Sequence, residues 1–201
     1  GILPGYRPKL GDNYNKRTSN EYDNATLLRV WELLLEVPSC DRDAFEIDVI
    51  MTGRQLLGNY FLDVKKEFDG FYKKRNVPGL KEKASEMREI LSDLELLNSF
   101  HNRASLDKWI EDARSLGDTE ELKNYYEKNA RNLITTWGGS LNDYASRTWA
   151  GLLNDYYAKR WEIYFDAVIG AAEKGIELNK DELKSRLATF EQEWVDSTTP
   201  I

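Results

Sequence analysis

Apolar residues in this chain recur at intervals of three and four, and no segment alternates convincingly with a period of two. Between residues 41 and 75, Phe45, Val49, Leu56, Tyr60, Val64 and Phe68 fall on one line of a helix, and Ile47, Ile50, Leu57 and Phe61 widen it. A half-buried strand needs strict alternation, so this spacing demands a helix. A stripe this wide also demands burial against more than one neighbour. Gly53 and Gly58 fall inside it and read as points where another element approaches closely.

The same arithmetic organises the rest. Asp23 suits the N-cap of "NATLLRVWELLLEV", which Pro38 ends. Pro78 suits the start of a third helix through Leu97, and a short amphipathic helix around 105–116 stops at Gly117. Asp118, with Glu121 three residues on, opens a helix that runs to Trp137. A second long helix is expected over 141–174, one line through Tyr144, Thr148, Leu152, Tyr156, Arg160 and Tyr164, the other through Trp149, Leu153, Tyr157, Trp161 and Phe165. Asn179 caps the last. The expected fold is all-α: about seven helices, two of them long, in an irregular bundle. Residues 1–20, rich in Pro, Gly and polar groups, read as a linker or lead-in from an upstream domain, and 21–201 as a single helical domain. A start at Gly1 suggests a processed product or a piece of something longer.

Chemistry is constrained by what is scarce. With one histidine, His101, the chain cannot build a two-imidazole metal site or a bundle of repeated Glu-x-x-His pairs, and no metal or cofactor is expected. His101 reads as an exposed or capping loop residue, and Cys40, the one cysteine, as a residue preceding a helix. "WGGS" lacks the lysine and preceding strand of a phosphate loop. The 35 acidic residues lie mostly on solvated faces, and no pair stands out as catalytic. A net charge of −7 argues against nucleic acid, and no apolar run approaches the roughly 20 residues of a membrane span.

Aromatic richness is the remaining signal, concentrated between Tyr125 and Phe165. Sugar sites use such rings because axial C–H groups pack on an aromatic face. Trp149, Trp161 and Phe165, at helical spacing, fit a core role. Trp137 and Tyr144 differ, because they flank a glycine break in "ITTWGGSLNDY", where a helix cannot cover its own tryptophan.

Three stretches carry a resemblance: "FEIDVIMTGRQLLGNYFLDVKKEFDGFY" (45–72), "WIEDARSLGDTEELKNYYEKNARNLITTWG" (109–138) and "LNDYASRTWAGLLNDYYAKRWEIYFDAV" (141–168). Together they resemble the C-terminal helical domain of α-N-acetylglucosaminidases, glycoside hydrolase family 89, from about residue 9 to about residue 194. The resemblance implies a parent enzyme that removes terminal α-linked N-acetylglucosamine with retention. It would use two glutamates on a (β/α)₈-type barrel encoded upstream of Gly1, so these residues alone would be inactive and contain no catalytic group. It implies a helical domain that packs on that barrel and walls one side of the pocket, with Trp137, Leu141 and Tyr144 as substrate-binding residues. Leu141 and Tyr144 would share one face of the helix expected from 141, and Trp137 would reach the same place across Gly138–Gly139, in a turn a couple of residues shorter than in some relatives. Arg131 and Arg160 also match family positions and read as ion-pairing residues between helices. Kinship implies a secreted or periplasmic protein if bacterial and a lysosomal one if animal. The rival readings are a helical protein-interaction module without a carbohydrate role and a freestanding small-molecule-binding bundle.

Overall fold

A computed structural model of the chain describes residues 2–11, 22–38, 43–102, 105–138 and 141–198. Among them are seven α-helices and no β-sheet: α1 (Asn24–Leu35), α2 (Asp43–Lys73), α3 (Val77–Ser99), α4 (Leu106–Arg114), α5 (Glu120–Ile134), α6 (Lys159–Glu173) and α7 (Lys180–Asp196). The all-α reading holds. Cys40 lies outside the described residues.

Side chains start most of these helices. Asp23 accepts from the amide of Thr26, Asn76 from Gly79, Ser105 from Lys108 and Asn179 from Glu182. At α5 the cap is Thr119, which accepts from Leu122, rather than Asp118. A hydroxyl three residues before the amide it serves has the right reach, and Asp118 is one position too early.

The helix expected from 141 begins later. Residues 141–150 form turns and extended chain, and a π-helical turn, Leu153–Ala158, leads directly into α6. Asp143, Ser146 and Gly151 have φ of 61°, 40° and 82°, which no right-handed helix accepts. Glu95 of α3 completes the new start, its carboxylate accepting from the amides of Gly151 (2.6 Å) and Asn154 (3.2 Å). Burial pushes the Glu95 carboxyl above its ordinary range.

Helix α2 packs on α3 and α1, α4 on α5, and α6 on α3 and α7. Phe61, Phe68, Leu80, Met87, Leu94, Trp161 and Phe165 are fully buried at the centre, with Phe61 and Trp161 edge to face at 4.8 Å. The two α2 glycines are points of close approach: a Cβ at Gly53 would lie 2.7 Å from the Trp31 ring, and one at Gly58 2.5 Å from Ile2.

Ile2 belongs to the segment read as a lead-in. Residues 2–7 are packed into the bundle, with Ile2 and Leu3 3% and 2% exposed. Trp161 Nε1 donates to the carbonyl of Pro4 at 3.1 Å, and Arg7 pairs with Glu191 on α7.

Candidate functional site

Helix α5 ends at Ile134, and Asn132 fastens the turn beyond it. Its carbonyl accepts from the amides of Thr135 (3.2 Å) and Trp137 (2.8 Å), and its Oδ1 from the Thr136 hydroxyl (2.6 Å) and the Gly138 amide (3.0 Å). Trp137 takes a φ of 44° and Gly138 one of 74°. A left-handed conformation is ordinary for glycine and costly for tryptophan, so four hydrogen bonds to one asparagine hold a strained turn.

The chain returns through a second turn. The Tyr144 amide donates to the Leu141 carbonyl at 2.9 Å, and the Asp143 amide to Thr135 at 2.8 Å, which closes the loop on itself. Trp137 and Tyr144 meet edge to face, ring centroids 5.5 Å apart at 76°. Both project outward: Trp137 is 40% exposed and Tyr144 71%. Leu141, 46% exposed, reaches the rim across a turn rather than along a helix face. The structure thus brings Trp137 and Tyr144 into contact, with Leu141 at the base of the Tyr144 turn. Gly139 lies outside the described residues.

Beside this rim, between α5 and α7, lies a polar cleft of about 550 Å³. Asn129, Asn132, Thr136, Asn142 and Gln192 line it, together with Gly138 of the rim itself. Amides and hydroxyls of this kind offer donors and acceptors together.

Under the rim is a buried ion network. Arg160, fully buried, donates from Nη1 to both oxygens of Asp143 (2.8 and 3.0 Å) and to Glu191 (3.0 Å), and from Nη2 to the Gly5 carbonyl (3.4 Å). The Arg7 amide donates to Asp143 at 2.7 Å, and its guanidinium to Glu191. Asn142 Nδ2 also donates to Glu191, at 2.9 Å. The Arg160 guanidinium centre sits 4.5 Å and 5.2 Å from the ring centroids of Tyr156 and Tyr157. The π-helical turn lets both neighbouring tyrosines bury.

Burial pushes the Asp143 carboxyl above its ordinary range despite Arg160. At Glu191 burial pushes the same way, but Arg7 and Arg160 together outweigh it and hold the group below its ordinary value. Both carboxylates are committed to arginines, so neither is a free acid or base.

Arg160 therefore bridges elements, as expected. Arg131 pairs within its own helix, with Glu127 at 2.7 Å; Glu127 also takes Arg114 of α4, and Arg131 lies 4.6 Å from the Trp194 ring centroid on α7. His101 bonds Asp43, the first residue of α2, at 2.6 Å. Asn132 and Asp143 were missed from sequence. Asn132 had a local signal, lying five residues before Trp137 at a helix end, but the partners of Asp143 are too far away in the chain to leave one.

Residues 3–201 match the family described as "Alpha-N-acetylglucosaminidase (NAGLU) C-terminal domain". An alpha-N-acetylglucosaminidase of Homo sapiens is 28% identical over 194 residues, covering 94% of this chain and 26% of the human protein. A family 89 glycoside hydrolase from Clostridium perfringens, in complex with PUGNAc, has a TM-score of 0.86 at 27% identity, over 99% of this chain and 24% of the hydrolase. A structure of a family 89 enzyme from the same organism in complex with its substrate GlcNAc-alpha-1,4-galactose gives 0.83 at 28%, over 100% and 24%. The chain spans about a quarter of the length of these relatives.

Proposed function

The chain belongs to the alpha-N-acetylglucosaminidase C-terminal domain family, and we propose on that footing that it is the helical domain of a retaining exo-α-N-acetylglucosaminidase, packed on the catalytic barrel and walling one side of the sugar pocket. The observation that carries this reading is the exposed Trp137–Tyr144 pair, held edge to face on a rim anchored from below. Tryptophan and tyrosine are rarely spent on solvent at a helix end, and their open faces suit the apolar face of a pyranose. The amide-lined cleft beside them offers partners for sugar hydroxyls.

Trp137, Tyr144 and Leu141 bind and orient the terminal N-acetylglucosamine and exclude water from it. Proton transfer and nucleophilic attack belong to two barrel carboxylates, which a retaining mechanism sets about 5–5.5 Å apart. Rigid placement of the ring is the contribution of the helical wall.

A separate feature supports packing on the barrel. No residue of helix α1 is fully buried, and between α1, α2 and the end of α3 runs an apolar groove of about 760 Å³ lined by Trp31, Leu35, Phe45, Val49, Leu96 and Phe100. An apolar face of this extent calls for a covering surface. Kinship supports a secreted or periplasmic enzyme if bacterial and a lysosomal one if animal; no described helix is long and apolar enough to cross a membrane.

The test uses the full enzyme that carries this domain. Trp137→Ala should lower kcat/KM on an aryl α-N-acetylglucosaminide at least about tenfold, or ~1.4 kcal/mol. Unchanged kinetics in a folded variant overturns the rim assignment. These 201 residues alone should show no hydrolysis. Leu35→Glu with Phe100→Glu should lower the Tm of the full enzyme and leave that of the 201-residue chain alone; equal shifts would remove the docking face.

A further inference from the structure

The rim is the most strained backbone among the described residues. Trp137, Asp143 and Ser146 are three of the four non-glycine residues with positive φ, and all lie in one short segment. Non-glycine residues held in this region persist where their surroundings over-determine them. Asn132 accounts for the Trp137 side. The Tyr144 side is determined elsewhere.

We propose that Asp143 is the positioning residue that sets the attitude of the Trp137–Tyr144 rim, with Arg160 and the backbone amide of Arg7 holding it in place. This rests on the sugar-pocket reading of the rim. Asp143 is 5% exposed and its neighbour Tyr144 71%, so any rotation of the chain at Asp143 swings the tyrosine. Its amide ties the outgoing strand of the loop to Thr135, one residue past α5. Its two oxygens accept three hydrogen bonds from two donors on other elements, the Arg7 amide of the N-terminal segment and Arg160 Nη1 on α6. Aspartate is also one of the few side chains that tolerates the left-handed region, so residue type and backbone agree.

Stability alone does not account for the arrangement. The hydroxyls of Tyr156, Tyr157 and Ser146 and the Arg160 Nε are buried beside the network without a hydrogen-bond partner among the described residues. Burying polar atoms this way is unfavourable, and a pocket built for stability would use apolar groups of the same volume. The network instead fixes a position, and the position it fixes is that of the rim.

The experiment compares Asp143→Ala, Asp143→Asn and Trp137→Ala in the full enzyme with an aryl α-N-acetylglucosaminide. Asp143→Ala should raise KM about tenfold with kcat within about twofold, while Asp143→Asn, which tolerates the same backbone and keeps an acceptor, recovers most of the loss. The double variant with Trp137→Ala should be no worse than Trp137→Ala alone, because Asp143 acts through the rim. Independent penalties that multiply, or a lowered Tm with KM unchanged, overturn the proposal. A second readout separates it from the sugar-pocket reading: in the 201-residue chain, the NMR ring-current shifts of the Trp137 and Tyr144 protons should collapse in Asp143→Ala. Their persistence overturns the positioning role, whereas kinetically silent Trp137→Ala overturns the pocket reading.

Discussion

Two groups of aromatic residues lie close together in sequence and end in opposite environments. Trp137 and Tyr144 stand on the rim, 40% and 71% exposed; Tyr156 and Trp161, on the next helical stretch, are fully buried. Composition does not separate them, and neither does hydrophobicity. Backbone geometry does. The buried pair follows a continuous helical stretch into the core, π-helical at Tyr156 and α-helical at Trp161, while the rim pair sits where left-handed residues turn the chain outward. The two are also coupled, because the arginine stacked on Tyr156 is the one that holds Asp143 beneath Tyr144.

The contrast can be broken most severely by exchanging the two tryptophans' fates. Trp161→Ala should destabilise the 201-residue chain by roughly 3–5 kcal/mol in denaturant unfolding, since it opens a cavity against Phe61 and Tyr164. Trp137→Ala should stay within about 0.5 kcal/mol, as expected of a surface position. Similar losses at both sites would mean that the rim is core after all. Arg160→Met should cost nearly as much as the cavity, roughly 3–5 kcal/mol, because it strands Asp143 and Glu191 without their shared cation.

A smaller effect tests the segment beneath the rim. Gly58→Ala should cost roughly 1–3 kcal/mol, because its methyl would meet Ile2. Protease cleavage should then accelerate within residues 2–7 before any helix is cut; uniform cleavage would argue against that segment as a separate prop.

The mildest probe is pH. Glu191 has a folded pKa below its ordinary 4.5, so the stability it contributes is complete above about that pH and drains away as pH falls through the folded value. Asp143 runs the opposite way: its pKa is raised, so protonation on acidification relieves a penalty in the folded state. Glu191→Gln should flatten the acid limb of a Tm-against-pH curve, and Asp143→Asn should steepen it. Limbs unchanged in both variants would mean that neither carboxylate feels the network.

What was legible in the sequence was local. The stripe of α2, except for the exposed Tyr60, the caps at Asp23 and Asn179 and the close approach at Gly53 and Gly58 are written in local sequence. The start of the helical stretch that leads into α6 was not legible. Tyr144, Thr148 and Leu152 step by four like a helix, but Gly151 and Asn154 receive their cap from Glu95 on another helix, which no local pattern announces. The candidate rim divided the same way. Trp137 and Tyr144 declared themselves by flanking a glycine break, whereas Asp143 gains its meaning from Arg7 and Arg160, far away along the chain.

The tucked 3-10 turn at Leu3–Gly5 bears on where this module can be cut. A gene fusion or expression boundary drawn at the start of α1 would discard the Pro4 carbonyl that Trp161 uses, the Gly5 carbonyl that Arg160 uses and the Arg7 partner of Glu191. The packed unit is therefore longer than its helices. Recombination that respected secondary structure alone would deliver seven helices and an unsupported rim.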